Sequence, residues 1–169
     1  MLRRILIPFL CLLGLFCALQ AQDAPALKIA TLHPILGDMA RAIGGSHVQV
    51  ADLLRPNGNL HSFEPAPQDI AAAGQARLVL ASGKNLEPYL PKLKDALGGR
   101  AQILDLGASI PDVPVAADTA DHDHGHDGDC CAHGPNDPHW WHTPANMKRA
   151  ARALAAALTR MDPAHEQDY

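Results

Sequence analysis

Short apolar segments alternate along residues 27–106 with longer segments in which apolar residues recur at helical spacing. The apolar segments predict four strands, at 27–32, 48–54, 77–81 and 102–106. The intervening segments predict three helices, at 34–43, 67–75 and 86–97. Strands separated by helices of about ten residues indicate an α/β fold, with a four-stranded parallel sheet flanked by helices.

The regular pattern stops between residues 111 and 138, where Pro, Asp, Gly, Ala and His dominate. This composition predicts a long, exposed and disordered loop. Helical spacing resumes after Thr143, an N-cap candidate that is followed by Pro144. Asp162-Pro163 repeats this start signal, so we expect residues 163–169 to be the start of a truncated second helix.

The first 21 residues have the composition of a cleaved secretory signal peptide. Arg3 and Arg4 precede an apolar run over residues 5–19, which is too short and wrongly flanked for a membrane span. A lipid-attachment site at Cys17 is disfavoured because the preceding Phe16 is bulky. We therefore expect an exported chain with one domain over residues 22–162 and no membrane-spanning segment.

The net charge and the cysteines reduce the number of functional classes that fit this sequence. Loss of Arg3 and Arg4 takes the formal net charge from −4 to −6, and an acidic chain without a basic stripe argues against a nucleic-acid partner. The two cysteines that remain, Cys130 and Cys131, are adjacent, which excludes a disulfide framework. Metal ligation or an exposed thiol pair are the alternatives for them.

Six of the ten histidines lie within residues 121–142, among five aspartates and the two cysteines. Imidazole, thiolate and carboxylate groups are protein ligands for Zn²⁺, with Mn²⁺ less favoured by nitrogen. The sequence therefore predicts a metal-binding protein. Four histidines inside the loop are candidate accessory ligands that raise the local metal concentration, or else parts of a solvated spacer: His122, His124, His126 and His133.

Two further histidines are candidates for a fixed site. His61 lies in a Pro/Gly-bounded loop after the second strand, which places it at the carboxyl edge of a parallel sheet. His139 precedes Trp140 and Trp141, which would form the wall of the site. The alternatives are that His61 is a surface residue, and that the tryptophans belong to the core while His139 is incidental.

The chain resembles the zinc/manganese solute-binding proteins of bacterial ABC importers, over residues 27–169. The resemblance rests on LHSFEP at Leu60–Pro65, GKNLE at Gly83–Glu87, the histidine-rich loop, and DPHWW at Asp137–Trp141, in the family's order. It implies that His61 and His139 bind the metal in the amino-terminal lobe of a two-lobe protein. It also implies a periplasmic protein that captures Zn²⁺ and delivers it to an ABC permease of the inner membrane, and that is not an enzyme.

The same resemblance implies a further histidine and a carboxylate from a second lobe that this sequence lacks. Two histidines leave Zn²⁺ short of its usual four ligands, so either the sequence is a fragment or the other positions are filled by His142, the loop, water or a second molecule. His142 stands where the family usually has an apolar residue, and it either points away from the metal or compensates.

A rival hypothesis is a stand-alone periplasmic zinc buffer or metallochaperone that acts through the histidine-rich loop. A zinc hydrolase is disfavoured because no H-E-x-x-H or comparable motif is present. His33 follows the first strand and is either a supporting residue near the metal or an ordinary loop histidine. Four further residues are given lesser roles: His47 and His165 as surface residues, and Glu64 and Asp137 as groups that orient the ligand loops or cap turns.

Overall fold

A computed structural model describes residues 25–114 and 136–169. The predicted signal peptide therefore lies outside the described residues. So do the four accessory histidines and the two cysteines of the predicted loop. The residues on either side of the gap meet, because Pro114 and Asn136 form an antiparallel bridge and the backbone N–H of Asp137 donates to the carbonyl of Val113 (2.9 Å).

Four parallel strands form the sheet, in the order β2-β1-β3-β4. Their bounds are Leu27–Thr31 for β1, Val48–Asp52 for β2, Leu78–Ala81 for β3 and Gln102–Asp105 for β4. All four residues of β3 are buried, as expected for a central strand covered on both faces. The predicted four-stranded parallel sheet is confirmed.

Helices cover both faces of the sheet. Their bounds are Pro34–Gly44 for α1, Pro67–Ala73 for α2, Leu90–Leu97 for α3 and Pro144–Met161 for α4. Side chains alternate across β3, so Leu78 and Leu80 pack with α1 and α4, whereas Val79 and Ala81 pack with α2 and α3. In the described ranges no helix combines the length and the apolar character that a membrane span needs.

The start of α3 differs from its prediction. The spacing predicts a helix from Leu86, whereas α3 begins at Leu90. The side chain of Glu87 turns back to the preceding strand end, where it accepts backbone hydrogen bonds. Pro88 also disfavours a helical conformation for the residue before it. The segment before α3 therefore forms hydrogen bonds with the residues that follow β3 instead of adding a helical turn.

The strand order creates a crevice at the carboxyl edge. The connection from β1 leads through α1 to β2 on one side, whereas β3 lies on the other side of β1. In open α/β sheets, ligands bind outside the carboxyl ends of strands where the connections diverge in this way. The segments after β1, β2 and β3, together with the segment before α4, end at this edge.

Candidate metal centre

His61 and His139 meet at the carboxyl edge, although 78 residues separate them in the chain. Their Nε2 atoms lie 3.3 Å apart, and their ring planes are inclined by 60°. His61 is exposed, and the side chain of His139 is 34% exposed. The two imidazoles that the sequence singles out are therefore adjacent, accessible to solvent and oriented with one ring nitrogen toward the other.

The same local hydrogen-bonding pattern positions both histidines. The backbone N–H of His61 donates to the side-chain Oδ1 of Asn59 (2.9 Å), and that of His139 donates to Oδ1 of Asp137 (2.9 Å). Each is an Asx turn, in which a short polar side chain fixes the backbone two residues later. The role of Asn59 was not predicted, although the shared spacing Asx-x-His is visible in the sequence.

Asp137 also sets the tautomer of His139. Its Oδ1 lies 2.7 Å from His139 Nδ1, so that nitrogen donates its proton to the carboxylate, and Nε2 of His139 is the acceptor that faces Nε2 of His61. The backbone N–H of His139 holds the pKa of Asp137 below its ordinary value, which keeps the carboxylate ionised. The expectation that Asp137 orients a ligand loop is confirmed, whereas Glu64 lines a cavity beside Tyr89.

Trp141 forms a wall against His139, whereas Trp140 belongs to the hydrophobic core. Trp140 is buried, and its indole N–H donates to the carbonyl of Ser82 (2.9 Å). Trp141 lies between two imidazoles, with its ring centroid 4.5 Å from that of His33 and 5.3 Å from that of His139. Aromatic packing therefore limits the positions that His139 can take.

His33 is buried beside this wall, at the carboxyl edge where the sequence places it. Its Nδ1 lies 3.1 Å from the hydroxyl oxygen of Ser82. Burial, with a smaller contribution from the neighbouring His139, lowers the pKa of His33 to about 4. His33 is consequently neutral near pH 7 and contacts Ser82 and Trp141 without adding charge.

The spacing of the pair fits one bound metal ion. Two nitrogens that each lie about 2.0–2.1 Å from a tetrahedral Zn²⁺ are roughly 3.3–3.4 Å apart. Within residues 25–114 and 136–169, no three His, Cys, Asp or Glu side chains converge in this manner. His142 is exposed, with its ring centroid 6.3 Å from that of His139, so the structure does not bring it into the pair.

A second pair of histidines lies at the opposite edge of the sheet. His47 precedes β2, and His165 lies in a short 3-10 turn, Pro163–His165, where the sequence predicts the second helix to begin. The two rings stack with centroids 3.8 Å apart. Both residues are half-buried, so they lie at the surface, as interpreted from the sequence, but pack against each other there. Their aromatic contact could not be predicted because 118 positions separate them in the sequence.

The fold is that of one lobe of a metal-binding solute-binding protein. A crystal structure of a ZnuA deletion mutant with zinc bound superposes with a TM-score of 0.71 at 28% sequence identity, over 85% of this chain and 50% of that one. The chain belongs to the family described as ZnuA, zinc-uptake complex component A, periplasmic, whose model matches residues 29–169. The resemblance identified in the sequence is thereby confirmed.

Curated relatives carry different metals in their names. The iron-binding protein YfeA of Yersinia pestis is 31% identical over 153 residues, 88% of this chain and 44% of its own length. The manganese ABC transporter substrate-binding lipoprotein PsaA of Streptococcus anginosus is 26% identical over 98% of this chain and 53% of its own. The family consists of solute-binding proteins for metal transport, not enzymes, and this chain spans about half the length of the curated relatives it matches.

Proposed function

We propose that the chain is the amino-terminal lobe of a periplasmic zinc-binding protein, which captures Zn²⁺ and delivers it to an ABC permease of the inner membrane. The observation that carries this proposal is the 3.3 Å separation of the Nε2 atoms of His61 and His139. That separation suits two ligands of a single ion, and the exposure of both rings leaves the ion a route in and out.

Capture on this site requires no covalent chemistry. His139 presents the Nε2 lone pair because its Nδ1 proton is directed to Asp137, and His61 supplies the second nitrogen. A proton competes with the metal for the same lone pairs, so metal affinity falls as the pH is lowered through the range in which imidazoles titrate. The metal is cargo, and its release is a reversal of the same ligation.

Zinc is favoured over manganese because the site offers nitrogen ligands and because the histidine-rich segment directly precedes His139 in the sequence. The bridge between Pro114 and Asn136 fixes both ends of that segment, and Asn136 is three residues from His139. His122, His124, His126 and His133 lie between Pro114 and Asn136 in the sequence. We propose that this segment raises the local zinc concentration.

The proposed organisation follows the family. Residues 1–21 direct export, residues 22–162 form the metal-binding lobe, and residues 163–169 lead toward a second lobe that completes the coordination. Water or a second molecule are the other candidates for the remaining ligand positions. The described fold supports the lobe assignment, since it superposes on half of a zinc-bound ZnuA structure.

Metal titration of the purified protein tests the proposal. Zn²⁺, Mn²⁺ and Fe²⁺ are each titrated against the unsubstituted protein, His61→Ala, and a form that lacks residues 115–135. We expect one tight Zn²⁺ site, severely weakened by His61→Ala and retained after loop deletion. Several weak sites that survive His61→Ala and disappear with the loop would instead establish the stand-alone zinc buffer.

A further inference from the structure

Glu87 is a buried carboxylic acid behind the carboxyl edge, outside the histidine pair. Its Oε1 accepts the backbone N–H of Ser82 (2.7 Å), and its Oε2 accepts that of Gly83 (2.9 Å). Burial raises the pKa of Glu87 to about 7, although the N–H groups of Ser82 and Gly83 act to lower it. The two hydrogen bonds hold the residues after β3 in a defined geometry.

The turn that Glu87 holds has a conformation that needs support. Three successive residues have positive φ angles: +72° at Gly83, +56° at Lys84 and +62° at Asn85. Residues other than glycine adopt such angles at a cost, and they persist only where the surroundings fix them. Both bonds of the Glu87 carboxylate act at the start of this turn, and the N–H of Leu86 closes it on the carbonyl of Gly83 (3.1 Å).

Ser82 connects this turn to the metal centre. Its carbonyl accepts the indole N–H of Trp140 (2.9 Å), and its hydroxyl lies 3.1 Å from Nδ1 of His33. Trp140 directly follows His139 in the chain. A shift of the Ser82 backbone therefore moves Trp140, which is next to His139 in the chain, and also moves His33.

We propose that Glu87 is a positioning residue of the metal centre, which fixes His139 relative to His61 through Ser82 and Trp140. The proposal rests on the proposed function, because it concerns the same pair of histidines. Groups outside the ligand shell that orient metal ligands commonly contribute about 10- to 100-fold to metal affinity when they are removed. Glu87 acts at a greater distance, through two hydrogen-bonded residues.

Two substitutions and one matched control test the proposal. Glu87→Gln keeps the shape of the side chain but places an amide donor against one of the two backbone N–H groups, and Glu87→Ala removes both acceptors. We expect Zn²⁺ affinity to fall about tenfold and up to about 100-fold, respectively. The visible absorption spectrum of bound Co²⁺, which reports ligand geometry, should also change. Leu97→Ala is the control, because it destabilises the core between the sheet and α3. It should leave both the Zn²⁺ affinity and the Co²⁺ spectrum unchanged.

Trp140→Phe provides an independent measurement if the Glu87 variants do not fold. It retains a buried ring but removes the hydrogen bond to the Ser82 carbonyl, so it should reproduce the affinity loss and the Co²⁺ spectral change. Combined with Glu87→Gln it should give less than the sum of the two effects, because both act along one connection.

The outcomes separate this proposal from the function on which it rests. Absence of a tight site in the unsubstituted protein, or its survival in His61→Ala, would overturn the proposed function. A protein that loses its site in His61→Ala but keeps normal Zn²⁺ affinity and an unchanged Co²⁺ spectrum in Glu87→Gln would overturn the positioning role alone. An equal affinity loss in Leu97→Ala would overturn it too, since the effect would then be general destabilisation.

Discussion

Two pairs of histidines lie at opposite edges of the same sheet, and only one pair has the geometry of a metal site. His61 and His139 direct their Nε2 atoms toward each other, 3.3 Å apart, with the rings inclined by 60°. His47 and His165 are nearer as rings, with centroids 3.8 Å apart, but they stack at 22°. Close approach of two imidazole rings therefore does not by itself direct their nitrogens to a common point.

The difference lies in the direction of the lone pairs. An imidazole lone pair lies in the plane of its ring, so one ion cannot occupy the planes of two rings that stack nearly parallel. One nitrogen of each stacked ring contacts a carboxylate: His47 Nε2 lies 3.1 Å from Asp168, and His165 Nδ1 lies 2.7 Å from Asp162. In one pair the Nε2 atoms converge, whereas the other pair packs residues after α4 against the start of β2.

The largest expected effect distinguishes the two pairs directly. His139→Ala should weaken Zn²⁺ binding by at least about 100-fold, near 3 kcal/mol, because it removes one of the two converging nitrogens. His165→Ala, the matched substitution in the stacked pair, should leave the dissociation constant within about twofold. Competition with a chromophoric chelator measures both. Similar losses in the two variants would show that lone-pair direction does not separate the pairs.

Two glycines extend the comparison to the backbone of each edge. A Cβ on Gly83 at the carboxyl edge would lie 1.8 Å from Oδ1 of Asp105, whereas one on Gly99 at the amino edge would meet nothing within 4 Å. Both residues have positive φ, +72° and +79°. Gly83→Ala should therefore cost about 2–3 kcal/mol of unfolding free energy, from strain plus displacement of Asp105. Gly99→Ala should cost about 1 kcal/mol.

Urea denaturation gives both values, and metal titration completes the comparison. Only Gly83→Ala should weaken Zn²⁺ binding, because only Gly83 lies in the turn next to Ser82. If the two glycine variants lose equal stability and equal affinity, the carboxyl edge is no more constrained than the amino edge.

A smaller effect concerns His33 and acid stability. Its pKa is lowered from 6.5 to about 4, so below pH 6.5 the unfolded chain binds a proton that the folded chain does not. The stability that the neutral imidazole contributes is complete above pH 6.5 and is lost as the pH falls toward 4. We expect His33→Gln to remove roughly 2 kcal/mol of this pH dependence, with allowance for solvent screening.

The difference in unfolding free energy between the unsubstituted protein and His33→Gln separates the contribution of His33 from that of Glu87. Glu87, with its pKa raised to about 7, has the opposite sign: its contribution is complete below its unfolded pKa and is lost as the pH rises through 7. Urea denaturation of the unsubstituted protein and of His33→Gln is measured between pH 4 and 7.5. Glu87 is present in both proteins, so its contribution cancels in the difference between the two stability curves. Parallel stability curves would show that His33 is not held neutral by the fold.

The smallest expected effect belongs to the stacked pair. Tyr169 donates its hydroxyl proton to Asp162 (2.6 Å), the same carboxylate that His165 contacts. Tyr169→Phe should cost about 0.5–1 kcal/mol of unfolding free energy and leave Zn²⁺ binding unchanged. Thermal unfolding and chelator competition on one sample check both statements. A loss of metal affinity would connect the two edges and remove the basis for treating them separately.

Much of this could be predicted from local sequence. The alternation of apolar and helical segments predicted all four strands and the layers of the fold, because burial on both faces of a parallel sheet imposes that pattern. His61 could be placed at the carboxyl edge because it follows β2, and His139 because it precedes the tryptophan wall. Asn59 could have been found as well, since it stands two residues before His61 just as Asp137 stands before His139.

The start of α3 and the role of Glu87 could not be predicted in this way. Glu87 reads as a helix residue in the local pattern, and its bonds to Ser82 and Gly83 depend on where β3 ends in space. His142 illustrates the same limit, since its spacing from His139 does not reveal that the two rings stay 6.3 Å apart. Ring orientation depends on packing against neighbours that are distant in the sequence.

The sequence by itself determined the parallel α/β architecture, the family and the two histidines worth testing, because periodicity, turn residues and short motifs are local properties. Only the tertiary structure decided that His61 and His139 face one another while His47 and His165 stack, because ligation depends on lone-pair directions to within a fraction of an ångström and a few tens of degrees. Such precision arises from contacts between segments that fold together, here from Asx turns, the Trp140–Ser82 hydrogen bond and the order of the strands.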